Sequence, residues 1–208
     1  MPRLGTRSTA TRMNLLRAAL AVATDYGVKG VTHRRVAAEA GVALGSASYH
    51  YETIDDLMFE AFSWWTQTRT AVFTPAFTAA ETDDDVVAAV LNLLSVMHGS
   101  ADGRILLFEI YAQTVREPAY FKLVEEWSRT ARANLERLYT ARTAQQLEAV
   151  WEGVGVQFVM GAIDSLDETE PLIRLVLSQE PAGSKVGSAR VGCPGAAAGA
   201  PGRVGTAT

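Results

Sequence analysis

Ten residues between positions 32 and 50 have the types and spacing to hold a phosphate backbone and touch base edges. They are Thr32, His33, Arg34 and Arg35, then Leu44, Gly45, Ser46 and Ala47, then Tyr49 and His50. The chemistry they offer is hydrogen bonding and charge neutralisation, with no bond made or broken. A guanidinium fork matches a phosphate or a guanine edge. Gly45, Ser46 and Ala47 are small enough for close approach, and Tyr49 and His50 can reach phosphates or bases.

Such residues need two short helices to present them. Val36, Ala37, Ala40, Val42 and Ala47 are small or apolar at spacings that suit two helices packed close together. Thr32 is a good N-cap for the first helix. Gly41 suits the left-handed position just past its end. Val42-Ala43-Leu44 turns the chain, and a second helix is expected from about Gly45 to Tyr51. Asp55 and Asp56 then open a further helix, acids at a positive helix end. Two short helices about a glycine-bearing turn form the helix-turn-helix pattern, whose second helix enters the DNA major groove. A helical hairpin that merely packs would also show the turn. The cap, the A-x-x-x-G-V turn, the aromatic-His pair and the acid-led helix together favour DNA.

The order T-x-R-x-V-A-x-x-A-G-V from Thr32, L-G-S-A-S-Y-H-Y from Leu44 and D-D-L from Asp55 resembles the N-terminal domain of TetR-family transcriptional repressors. L-L-R-A-A-L-A-V-A-T-D-Y-G, Leu15 to Gly27, is similar to that family's first helix, so the resemblance spans about residues 12–60. It implies phosphate contacts for Thr32 and Tyr49, and places Arg34, Ser46 and His50 at or near the groove. Gly45 would give close access. Three positions depart from the family pattern: Ala43 where Ser is frequent, Ser48 where Tyr is frequent, and Ile54 where Lys is usual. Losing that Lys removes one phosphate contact and lowers the salt dependence of binding.

Net charge is −4, which alone argues against a nucleic-acid partner. Its distribution reverses that. Residues 1–54 carry seven basic side chains against three acidic ones, and the rest carry 12 against 20. A basic head on an acidic body is expected when only the head meets phosphates. With 208 residues and 48% hydrophobic content, the chain suits one or two soluble domains. No apolar run is long enough to span a bilayer and no apolar segment follows the N-terminal basic residues, so neither a membrane nor a secretory route is expected. Cys193 is the one cysteine, which fits a reducing cytoplasm. No cofactor is expected: His33, His50 and His98 are scattered, and no metal cluster, Ser/His/Asp set or phosphate-cradling loop is present. Glu125 and Glu126 read as a solvated face, and the chain is not expected to be an enzyme.

The fold expected is all-α and TetR-like. Residues 1–54 form a three-helix DNA-binding domain, 55–180 a helical ligand-binding and dimerisation domain, and 181–208 a disordered Gly/Ala-rich tail. Residues 1–10 are expected as a polar arm, followed by a helix over about 11–26. Later helices are expected over about 55–74, ended by Pro75, then 82–99, 104–116, 118–142, 143–164 and 167–179. Phe121, Val124, Leu135 and Leu138 mark the apolar side of the helix over 118–142. An apolar inducer pocket could draw on Trp65, Met97, His98, Phe108, Tyr111, Trp127, Trp151, Gln157 and Met160, with Glu109 and Gln113 for polarity. Gly153, Gly155 and Gly161 each cost about 1 kcal/mol inside a helix, which close helix approach would offset. The resemblance implies a homodimer, with Trp151, Gly153, Val156, Met160, Leu172 and Val176 at the interface. The expected partners are a double-stranded DNA operator, a second copy and an unknown small-molecule inducer. The alternative is a helical ligand- or partner-binding protein with weak or lost DNA binding.

Overall fold

The computed structural model describes residues 4–181, with side chains from Ser8 onward. The tail reading and Cys193 lie outside those residues. The described chain is all-helical: α1 (Leu4–Tyr26), α2 (His33–Glu39), α3 (Leu44–His50), α4 (Ile54–Ala79), α5 (Asp83–His98), α6 (Ala101–Thr114), α7 (Pro118–Leu135), α8 (Ala141–Val159) and α9 (Glu170–Ser178). Short 3₁₀ turns at Val28–Gly30 and Leu166–Thr169 precede α2 and α9.

The head is α1 to α3 packed on the start of α4. Leu15, Leu16, Ala19 and Ala23 bury one face of α1 against Val36, Ala37 and Ala47, as the three-four spacing requires. The expected turn chemistry forms. Thr32 accepts from the Arg35 amide at 3.2 Å. Gly41 has φ 65°, and the Val42 amide reaches back to the Ala37 carbonyl at 2.9 Å, closing α2.

Several boundaries differ from the sequence expectation. Helix α1 begins at Leu4, inside the expected polar arm. Helix α4 runs through Pro75 to Ala79. A proline inside a helix costs about 3 kcal/mol. Phe73 and Phe77 flank it, fully buried and edge-to-face at 6.1 Å, and their burial offsets that cost. Ser100 caps α6 through the Gly103 amide at 3.0 Å, so the stretch expected to break the chain is the helix's first turn. Helix α7 stops at Leu135 rather than near Arg142. The chain turns over 136–140, with buried Tyr139 donating to Asp83 at 2.7 Å, and Thr140 caps α8. Phe121, expected on the apolar side of α7, is 55% exposed. Gly161 has φ 70° and lies past the end of α8, with the Ala162 amide bonded to the Gln157 carbonyl. It is a helix stop, not an interior glycine.

Candidate nucleic-acid interface and ligand cavity

Helix α3 presents an open outer face. Tyr49 is 85% exposed and Leu44 51% exposed. Beyond its chain neighbours and its own helix backbone, nothing lies within 4 Å of where a Cβ on Gly45 would sit, so the backbone there can be approached closely. Arg34, Ser48 and Thr32 are exposed alongside, while Ser46 and His50 are half-buried. The His50 ring stands edge-on to Tyr49 at 5.6 Å. Ala43 is the N-cap of α3 and supplies no side-chain bond.

Three of the ten expected contact residues are engaged by the chain itself. Ala47 is fully buried under α3, so its methyl group is a packing element and not a groove contact. His33 Nε2 bonds the Tyr51 carbonyl at 2.9 Å, tying α2 to the end of α3. Arg35 donates to the Gly30 carbonyl at 2.6 Å and lies over the Tyr26 ring, bracing the loop before α2. A clasp that sequence reading did not find fixes α3 relative to α4. Arg12 of α1 donates to the Tyr51 hydroxyl at 3.2 Å and pairs with Glu60 of α4. Burial pushes the Tyr51 phenol up to about 12. The pairs are long-range in sequence, and nothing local marks them.

In the body, α4 and α7 border a cavity of ≈ 440 Å³. Thr66, Thr70 and Thr74 of α4 line it at four-residue spacing, facing Leu123, Glu126 and Trp127 of α7. That threonine stripe on an otherwise apolar helix is the signal that sequence reading missed. Glu126, expected as a solvated surface acid, is exposed but lies at this cavity's edge. Behind Trp127, the Tyr111 ring stacks at 6.0 Å, and its hydroxyl donates to Glu152 of α8 at 2.6 Å. Burial raises the Glu152 carboxyl; the Tyr111 bond works against that, and Glu148 adds to it. Burial also raises the Tyr111 phenol, with Glu152 adding to it.

The expected ligand set divides. Trp127 lines this cavity, and Tyr111 backs it. Phe108 lines a separate groove of ≈ 500 Å³ along α6, with Glu109 and Ile105. Trp65, Met97 and Trp151 are buried core, Trp151 packing on Phe77 at 6.3 Å. Gln157 and Met160 are exposed and line neither the α4/α7 cavity nor the α6 groove. His98 is buried at the end of α5 against Gly155, whose missing side chain leaves room for the imidazole. Gly155 thus serves packing within one chain.

The outer faces of α8 and α9 carry exposed apolar groups: Val156 at 37%, Met160 at 77%, Leu172 at 46% and Leu175 at 57%. Gly153 opens to free space on the same side of α8. Trp151 does not belong to this face, being 2% exposed. Val176 is half-buried against the chain's own core, and Leu175 is the more exposed neighbour. Among the described residues no group of His, Cys, Asp or Glu could hold a metal ion, and no single helix is long and apolar enough to cross a membrane.

Residues 15–61 match the sequence model of bacterial regulatory proteins, tetR family. The structure is similar to SCO7518 of Streptomyces coelicolor A3(2), described as a transcriptional regulator. Identity is 34%, the TM-score is 0.70, and the match covers 80% of this chain and 97% of that one. It is also similar to SCO1917 of the same organism, a member of the TetR family, at 29% identity, TM-score 0.68 and the same coverages. A third similar structure is the multidrug binding protein EbrR complexed with malachite green, at 29% identity and TM-score 0.67, covering 82% of this chain and 98% of that one. No curated protein matches the chain by sequence.

Proposed function

Because the chain belongs to the tetR family of bacterial regulatory proteins and is a DNA-binding transcriptional regulator, we propose that it is a repressor that binds a palindromic operator as a homodimer and is released by a small lipophilic ligand. The observation that carries this reading is the open face of α3, where Tyr49, Leu44 and Gly45 meet solvent beside exposed Arg34. A two-fold dimer would set two such helices in successive major grooves, with half-sites about 34–36 Å apart or a multiple of that. Repression would follow from occupying promoter DNA in the cytoplasm. The apolar outer faces of α8 and α9 support pairing with a second copy, whose own α8 and α9 would complete a four-helix contact. The α4/α7 cavity supports the ligand, and EbrR, a multidrug binding protein with a similar fold, makes a lipophilic one reasonable. Thr32, Arg34, Ser46, Tyr49 and His50 are the proposed DNA contacts.

A second reading, a ligand- or partner-binding protein that has lost DNA affinity, draws on Ile54, which puts an apolar residue at the first position of α4. One experiment separates the two. The purified protein is titrated against its own upstream promoter DNA at two salt concentrations. Saturable, salt-sensitive binding that weakens at least tenfold in the Arg34→Ala and Tyr49→Ala variants supports the repressor. A folded protein with no binding at low salt supports the second reading.

A further inference from the structure

On the reading that α3 enters the major groove, we propose that Arg12, Tyr51 and Glu60 are positioning residues for operator recognition, setting the angle of α3 without touching DNA. Helix α3 has little of its own to hold that angle. It is seven residues long, and isolated helices below about 12 residues are marginal in water. Ala43 caps it without a side-chain bond, and Ala47 is the one residue of the helix that is fully buried. A swing of about 10° would displace one end against the other by roughly 2 Å, whereas a hydrogen bond to a base edge tolerates about 0.5 Å.

Tyr51 supplies what the helix lacks. It is the C-cap of α3, it is buried, and it is held at three points. Its amide donates to the Ala47 carbonyl at 3.0 Å, and its carbonyl bonds His33 Nε2 of α2 at 2.9 Å. Its hydroxyl accepts from Arg12 Nε of α1 at 3.2 Å, and the guanidinium lies 5.6 Å from the ring. The same guanidinium forks onto Glu60 of α4, with Nε 2.7 Å from one carboxylate oxygen and a terminal nitrogen on the other. A two-point fork fixes the plane of the guanidinium, and with it the direction from which the Tyr51 hydroxyl is met. Three neighbouring helices thus converge on one end of α3. The Arg12–Glu60 pair is open to solvent, where an ion pair adds little stability. What it contributes is geometry. The three residues stand 39 and 48 positions apart from Arg12, so the junction forms only in the assembled head.

The test measures the affinity of the full-length protein for its own upstream promoter DNA and for a random-sequence duplex of equal length, at two salt concentrations. Tyr51→Phe removes one buried oxygen, and Glu60→Gln keeps the shape while removing a negative charge. If charge alone mattered, Glu60→Gln would tighten both duplexes, because an acid near phosphates opposes binding. Positioning predicts the opposite sign on the promoter. Each variant should bind the promoter at least about threefold more weakly and the random duplex within about twofold of wild type or tighter. Tyr51→Phe should leave the salt slope unchanged, since it removes no phosphate contact. The double variant should lose no more than the worse single, because both break one connection. A promoter loss below about threefold, equal losses on the two duplexes, tighter promoter binding by Glu60→Gln, or losses that add in the double variant overturn the positioning role and leave the regulator standing. A folded wild type that does not prefer the promoter removes both.

Discussion

Replacing Gly155 with alanine should destabilise the protein, although alanine is the better helix former. An added Cβ would meet the His98 ring, 2.6 Å from Cε1 and 3.2 Å from Cδ2, with Nε2 closer still. Ordinary contact starts near 3.4 Å, so the buried ring must withdraw by roughly 1 Å into a core with little spare room. Overpacking of this kind costs about 1–3 kcal/mol, and alanine's helix propensity returns about 1 kcal/mol. The expected net loss is about 0–2 kcal/mol. The diagnostic is a reversal. In a His98→Ala background the obstructing ring is gone, and Gly155→Ala should stabilise by up to about 1 kcal/mol. The coupling between the two sites is then about 1–3 kcal/mol. Urea midpoints for the four proteins measure it, at one protein concentration because a dimer's midpoint depends on concentration. If Gly155→Ala raises the midpoint with His98 in place, or the two effects add within about 0.5 kcal/mol, the ring is not against that glycine and the packing described is wrong.

The same histidine predicts a pH response. Burial, aided by Arg104, lowers His98 to about 4 from an ordinary value near 6.5, so between those values the unfolded chain binds a proton that the folded chain refuses. Stability should therefore fall as pH drops from about 6.5 toward 4, on the order of 2 kcal/mol, and His98→Gln should remove that component from urea midpoints taken at pH 7 and 5. Ala43 caps α3 without a side-chain bond, so Ala43→Ser should add about 1 kcal/mol of stability, read as a raised urea midpoint with an unchanged slope. Ile54→Lys should tighten operator binding at low salt and steepen the plot of log affinity against log salt by about 0.9 per subunit, with an unchanged slope showing that α4 does not reach the backbone. Gly153→Leu should convert the proposed dimer to monomer in sedimentation, and an unchanged mass would remove that face from the interface.

What was legible in the sequence was local. Thr32 and Gly41 fix α2 by chemistry that acts within a few residues, and their geometry is as expected. Boundaries decided by distant partners were not legible. Nothing near Leu135 announces a helix end; the turn there seats Tyr139 against Asp83, 56 residues away. Pro75 reads as a stop because local propensity says so, and the burial of Phe73 and Phe77 outweighs it. The candidate sites follow the same rule. Tyr49 and Gly45 were readable because exposure on α3 follows from helix periodicity. For Ala47 and His33 the sequence alone did not separate packing from DNA contact, because small size and hydrogen-bonding capacity serve both. In the body, large aromatics drew attention to the core, whereas threonine is the most frequent residue in the cavity wall.

Helix α4 belongs to both halves of the molecule, and this gives the proposed release a physical route. At its head end, Glu60 pairs with Arg12, which also holds Tyr51 at the close of α3. Ten residues on, Thr70 lines the cavity, about 15 Å away at 1.5 Å per residue. The two ends share one rigid element whose far half is fixed by Phe73 and Phe77. A guest that favours a wider gap between α4 and α7 must therefore tilt the segment that positions α3. A second tie lies on α6, where Glu109 accepts from the Val28 amide at 3.4 Å in the loop after α1. Tight binding alone would change nothing, because a ligand shifts the head only by its difference in affinity between the two arrangements. To move a dimer from 99% DNA-competent to 1%, that difference must reach about 10⁴-fold. A guest that makes more contacts with the cavity open than with it closed would have a source for that difference.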